Sequence, residues 1–189
     1  MSMDRIITLW FEKMKIIFND HDGQDSFYDK RHGSYIVWLG KKGNRETNKM
    51  HELAHINLGT DTDEAKSKCV KWISDYCLKE KVLPNDKACK LMADLFFSTW
   101  NVLEDERVES FSPRLFNKHK KEMGKTKTEK ISKSNPVEAL LCARFNRDDL
   151  VGKEVKQYII SSRLASKEKV YELAEDYIKK YLIEYIRNV

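Results

Sequence analysis

The sequence contains few residues that interrupt helices. Only 7 Gly and 3 Pro occur in 189 residues, whereas Lys, Glu and Leu, which favour helices, are abundant. With 41% hydrophobic and 34% charged residues, the composition is typical of a globular protein. We therefore predict a predominantly α-helical α+β protein. A chain of this length can bury a core without disulfides or a structural metal, so any metal is expected to serve function.

The chain also lacks a long apolar run and paired cysteines. No segment approaches the roughly 18 apolar residues needed to span a bilayer. The first residues include acidic side chains and lack a signal-peptide pattern. We therefore expect a cytoplasmic protein with no membrane partner. Its four cysteines show no CxxC spacing and are expected to be reduced thiols: Cys69, Cys77, Cys89 and Cys142.

The spacing of apolar residues predicts the secondary structure. Residues 4–18 repeat apolar side chains every three or four positions, which predicts a helix. Residues 34–39 (SYIVWL) are β-branched and aromatic and predict a strand, and residues 26–28 suggest a short extended segment. Thr47 or Asn48 is expected to cap the following helix. Further helices are predicted at about 48–58, 63–81, 86–112, 137–145, 149–161 and 166–188.

The charge distribution suggests three parts. The net charge is +5, and much of the excess lies between residues 118 and 133. We predict a core at 1–116, a basic flexible loop or linker at 117–135, and a helical subdomain at 136–189 that packs on the core. Its helices are candidates for binding a partner protein. Nucleic-acid contact by the basic stretch is not favoured, because that stretch lacks aromatic residues for stacking.

The residues most informative about chemistry are HELAH at 51–55. On a helix, His51 and His55 project from the same face, so both imidazoles can bind one metal ion. Zinc accepts such nitrogen ligands and keeps one position for water in catalytic sites. Glu52 can then take a proton from that water as general base. This HExxH pattern predicts one zinc ion per chain and hydrolysis of a peptide bond.

A zinc site of this kind needs a third ligand. Asp61 follows His55 at a spacing that some zinc peptidases use, but the glycine that such a turn needs comes one position late. Glu104 falls among large apolar residues on the predicted 86–112 helix, where an unpaired carboxylate is costly, so it is preferred, with Asp105 as the backup. Alternatively, Glu104 simply pairs with Arg107 on an ordinary charged helix. Residues expected to orient the ligands are Asn101, Arg107 and Glu109.

The segments HELAHINLGTD and NVLEDERVE resemble those of a metallopeptidase domain that accompanies von Willebrand factor A modules, including cobaltochelatase CobT-like proteins. The resemblance covers about residues 34–112. It implies a gluzincin-like zincin fold with His51 and His55 as ligands, Glu52 as base, and Glu104 or Asp105 as third ligand. Relatives usually continue into a von Willebrand A module with a DxSxS motif. That motif is absent here, and residues 136–189 are expected to be helical instead.

These observations predict a zinc metallopeptidase acting on a peptide or protein. The alternatives are a non-catalytic zincin-fold module that binds a partner protein or nucleic acid, and a helical protein with a chance HExxH and no metal. Residues 34–39 could be an edge strand that holds the substrate or a buried core strand. Candidate donors to a developing oxyanion are Tyr28, His32, Tyr35, Arg107 and His119.

Overall fold

A computed structural model describes residues 15–31, 34–41, 43–80, 86–112, 114, 117–118, 120–121, 135–145 and 151–183. The described part is mostly helical with a small sheet, in agreement with the predicted α+β class. The three strands are β1 (Lys15–Asp20), β2 (Phe27–Arg31) and β3 (Ser34–Leu39). The helices are α1 (Arg45–Asn57), α2 (Thr62–Lys79), α3 (Asp86–Ser110), α4 (Pro136–Arg144), α5 (Lys153–Ser162) and α6 (Lys167–Tyr177), and a π-helical turn (Ile178–Leu182) continues α6.

The sheet has the strand order β1-β3-β2. β1 runs parallel to β3 and β2 runs antiparallel to it. The prediction of a strand at Ser34–Leu39 is confirmed, and because β3 is central, the core-strand alternative is correct and the edge-strand alternative is wrong. The helix predicted over 4–18 is wrong at residues 15–18, which belong to β1 and where Ile16 and Phe18 alternate onto the small core around Val37. Residues 1–14 lie outside the described residues.

Helix α1 carries the HELAH residues and begins one turn earlier than predicted. Its N-cap is Asn44, whose side-chain oxygen accepts hydrogen bonds from the backbone N–H groups of Glu46 at 3.1 Å and Thr47 at 3.2 Å. Asn is well suited to this position, because its side-chain oxygen accepts hydrogen bonds from backbone N–H groups that have no partner within the first turn of the helix.

At the C-terminal end of α1, Gly59 adopts a φ of 67°, a left-handed conformation that suits glycine. The chain leaves α1 sharply, so Thr60 turns back toward the helix.

One hydrophobic core joins the helices on both sides of the basic stretch. Phe96 and Leu103 of α3 pack in the same cluster as Ile73 of α2, Leu140 of α4 and Tyr177 of α6. Most of residues 117–135 lie outside the described ranges, so the three-part division of the chain stays a prediction. Within the described residues, no helix is both long and apolar enough to cross a membrane.

Candidate metal centre

Three potential ligand atoms converge where α1 meets α3. His51 and His55 are one turn apart on α1, and their Nε2 atoms are 3.1 Å from each other. Asp105 comes from α3, and its Oδ1 atom lies 3.2 Å from the His55 Nε2 and 3.6 Å from the His51 Nε2. The three donors therefore form a compact triangle of two imidazole nitrogens and one carboxylate oxygen.

The dimensions of this triangle suit a metal ion. Ligand atoms at about 2.0–2.1 Å from a tetrahedral zinc are separated by about 3.3 Å. The three distances of 3.1, 3.2 and 3.6 Å bracket that value. Two imidazoles and a carboxylate are also the donor types that zinc accepts in catalytic sites. The cluster of His51, His55 and Asp105 could therefore hold one metal ion.

The orientation of His55 is set by a chain of hydrogen bonds. The Thr60 hydroxyl donates to Glu104 Oε1 at 2.6 Å, and its oxygen lies 3.1 Å from the His55 Nδ1. A hydroxyl has one hydrogen, which an ionised carboxylate must receive, so the oxygen of Thr60 accepts from Nδ1–H. This contact leaves the lone pair of His55 Nε2 directed at the cluster, as metal ligation requires.

His51 is oriented by a second carboxylate. Its Nδ1 lies 3.0 Å from Oε1 of the fully buried Glu109. Burial lowers the pKa of His51, but the contact with Glu109 and the charges of Asp105 and Glu109 outweigh it and raise the pKa to about 9. The surrounding carboxylates therefore favour the protonated form of His51. Because Glu109 sits on the Nδ1 side, Nε2 is the atom that can face a metal ion.

One buried arginine connects the acidic residues of α3. Arg144, from α4, places Nη1 3.0 Å from Asp105 Oδ2 and Nη2 2.9 Å from Glu109 Oε1. Its Nε is 3.6 Å from Oε2 of Glu106. Burial alone would raise the pKa of Asp105, but Arg144 and the neighbouring histidines hold it well below its usual range. Asp105 is therefore an anionic ligand candidate at any physiological pH.

Glu104, the preferred third ligand from sequence, has a different role in the structure. It is buried as predicted, with 1% of its surface exposed. However, Arg107 donates to it through Nε to Oε2 and through Nη2 to Oε1, both at 2.7 Å. The structure therefore contains the Glu104–Arg107 pair that the sequence analysis gave as the alternative to metal binding by Glu104. The geometry thus brings Asp105, and not Glu104, to the two histidines.

The remaining sequence-predicted residues have distinct positions. Asp61 caps α2 by accepting the backbone N–H of Glu64 at 2.9 Å, and it is not part of the triangle. Asn101 lines the cleft beside the cluster. Glu109 contacts His51 as a ligand-orienting residue would, whereas Arg107 acts on Glu104 and, through it, on Thr60.

Sequence reasoning missed two residues of the centre. Thr60 directly follows the glycine that ends α1, and its hydroxyl could have been suspected from that proximity. Arg144 lies 39 residues beyond Asp105 in sequence, and no local pattern links the two. Its position depends on how α4 packs against α3, which periodicity does not reveal.

A cleft of about 840 Å³ opens onto the triangle. Glu52, which is 6% exposed, lines it together with both histidines and Asp105. Strand β2 forms part of the wall, and the Tyr28 hydroxyl donates to the carbonyl of Thr60. Burial and the charge of Glu52 raise the pKa of Tyr28, so its hydroxyl stays protonated. Of the other predicted donors to an oxyanion, Tyr35 also lines the cleft. Arg107 is paired with Glu104. Residues 32 and 119 lie outside the described residues.

No protein-family model, curated protein or solved structure matches this chain.

Proposed function

We propose that this chain is a zinc-dependent metallopeptidase of the zincin type. In this proposal His51, His55 and Asp105 hold the ion and Glu52 acts as general base. The observation that carries the proposal is the convergence of the three donor atoms within 4.8 Å of one another in the wall of a cleft that Glu52 also lines. The resemblance of HELAHINLGTD and NVLEDERVE to zincin-type metallopeptidase segments supports the same function.

Each residue has a chemical task in this mechanism. His51, His55 and Asp105 would hold the zinc ion, which would supply an activated water and a Lewis acid for the scissile carbonyl. Glu52 accepts the proton that the attacking water releases and returns it to the departing amine. Glu109 and Thr60 keep the two imidazoles in the tautomer that directs Nε2 at the ion. Tyr35 lines the cleft wall, where it can make polar contacts with the substrate, whereas the hydroxyl hydrogen of Tyr28 already bonds the Thr60 carbonyl.

The sheet offers a place for an extended substrate at β2. This strand stands at one end of the sheet order, and residues 27–30 line the cleft. An edge strand presents backbone N–H and C=O groups that can pair with an incoming peptide. In this proposal the substrate strand pairs with β2, because among the described strands β2 lines the cleft and both edges of β3 pair with β1 and β2.

Replacement of Glu52 by Gln tests the catalytic assignment. The amide keeps the shape of the side chain but cannot take a proton, so we expect zinc content to stay near one per chain. Peptide hydrolysis should fall by about 100-fold or more. The measurements are elemental analysis and cleavage of an unstructured protein substrate. A matched control is Glu46→Gln, which alters an exposed glutamate in the first turn of the same helix and should change neither quantity.

The outcomes separate the proposed function from its alternatives. Wild-type activity in Glu52→Gln would refute the role of Glu52 as the base. Zinc binding by the wild type without hydrolysis of any tested peptide would favour a non-catalytic zincin-fold module. Absence of metal in the wild type after zinc addition would refute the metal centre itself.

A further inference from the structure

The two oxygens of Asp105 have separate partners. Oδ1 faces the histidines, at 3.2 Å from His55 Nε2 and 3.6 Å from His51 Nε2. Oδ2 receives a hydrogen bond from Arg144 Nη1 at 3.0 Å. A carboxylate can bind a metal through one oxygen or through both. The arrangement here leaves a single oxygen available on the side of the imidazoles.

The guanidinium that holds Oδ2 is itself fixed. The Arg144 side chain is 3% exposed, and Nη2 lies 2.9 Å from Glu109 Oε1. That same Glu109 oxygen is 3.0 Å from the Nδ1 of His51. Arg144 therefore acts on two of the three candidate ligands, on Asp105 directly and on His51 through Glu109. A planar guanidinium can make both contacts at once, which an ammonium group cannot do in the same geometry.

We propose that Arg144 is a positioning residue that restricts Asp105 to one ligand oxygen and so keeps a coordination position open for water. The inference rests on the proposed metal centre and extends it into α4, a helix outside the segments that resemble known metallopeptidases. With Oδ2 bound to Arg144, the protein supplies three donor atoms, the number found in catalytic zinc sites. If Oδ2 were released, the carboxylate could supply a fourth donor atom and fill that position.

Two possible roles of Arg144, orienting the ligands or only adding a positive charge, predict opposite changes in metal affinity when the side chain is removed. A positive charge beside a cation site repels the cation, so its loss should strengthen metal binding if charge were its whole contribution. Loss of a residue that orients ligands should instead weaken metal binding by about 10–100-fold. The direction of the change therefore tests the role of Arg144 independently of any hydrolytic activity.

The experiment compares the wild type with Arg144→Met, Arg144→Lys and Arg163→Met. Arg163 is the control, because its Nε lies 2.7 Å from Oε1 of Glu106, the acidic residue that follows Asp105 on the same helix. Zinc affinity is measured by competition with a chromophoric chelator. The visible absorption of the cobalt(II)-substituted protein reports the number and arrangement of ligands. Circular dichroism checks that each variant is folded.

We expect Arg144→Met to bind zinc about 10–100-fold more weakly than the wild type and to change the cobalt(II) absorption. Arg144→Lys should be intermediate, and Arg163→Met should retain both wild-type properties. An unchanged cobalt(II) spectrum in folded Arg144→Met, at any zinc affinity, would overturn the inference while leaving the metal centre in place. If Arg144→Met does not fold, a wild-type cobalt(II) spectrum and affinity in Arg144→Lys would overturn it. A wild type that binds neither ion would refute the proposed function first.

Discussion

The proton on His51 should compete with zinc for the same imidazole. A ligating histidine must be neutral, so metal binding releases any proton that the ring carries. Contact with Glu109 and the charge of Asp105 overcome the effect of burial and raise the pKa of His51 to about 9. Because the pKa is raised, the proton stays bound below that pH and is lost as the pH rises through it. Zinc affinity should therefore increase across the neutral to mildly alkaline range.

The size of the effect follows from the distance between the working pH and this pKa. At pH 7, about two units below the pKa, only about 1% of His51 is neutral, so the apparent dissociation constant should be about 100-fold weaker than its alkaline limit. Between about pH 7 and 9 the affinity should improve roughly tenfold per pH unit. Above the pKa of His51 the curve should level off.

Chelator competition at a series of pH values from about 6.5 to 9.5 would measure this dependence. The wild type is compared with Glu109→Gln, which removes the carboxylate that contacts His51 Nδ1 at 3.0 Å. Its affinity curve should level off at a lower pH, because the imidazole then loses its proton more easily. Equal zinc affinity of the wild type at pH 7 and 9 would refute the reasoning, as would a Glu109→Gln curve identical to that of the wild type.

Two substitutions test other parts of the structure. Glu104→Ala leaves Arg107 buried without its carboxylate, so the free energy of unfolding should fall by about 3–5 kcal/mol in chemical denaturation. The folded fraction should still bind zinc, whereas Asp105→Ala should not, and the reverse result would make Glu104 the ligand. Asn44→Ala removes the α1 cap and should cost about 1 kcal/mol in the same assay. Asn44→Asp should keep most of it, and equal losses in both variants would argue against the capping role.

The sequence predicted best those features that depend on local pattern. The HELAH helix and the strand at Ser34–Leu39 are both present, because their side-chain periodicity and flanking breakers are sufficient to specify them. The error at residues 15–18 arose because Phe18 fits the helical spacing from Met14 as well as an alternating pattern with Ile16. Only the parallel partner β3, nearly twenty positions further along the chain, decides between the two.

The candidate ligand was harder to predict because several acidic residues of α3 are buried at once. The helical projection placed Glu104 on the apolar side, and it is buried there. Glu109 is fully buried as well, because Arg144 from α4 covers that side of the helix. Burial identifies a carboxylate that needs a partner. Whether the partner is an arginine or a metal ion depends on contacts between distant segments.

The buried charges of α3 have a consequence for the order in which the chain is made. All three candidate ligands are synthesised before Arg144, whose guanidinium lies between Asp105 and Glu109. A nascent chain that has emerged only as far as residue 121 would hold the complete HELAH helix and Asp105, yet Asp105 and Glu109 would lack the guanidinium between them. Burial of such unpaired charges is strongly unfavourable. Completion of the centre is thus tied to the synthesis of α4, which follows that of α1 and α3.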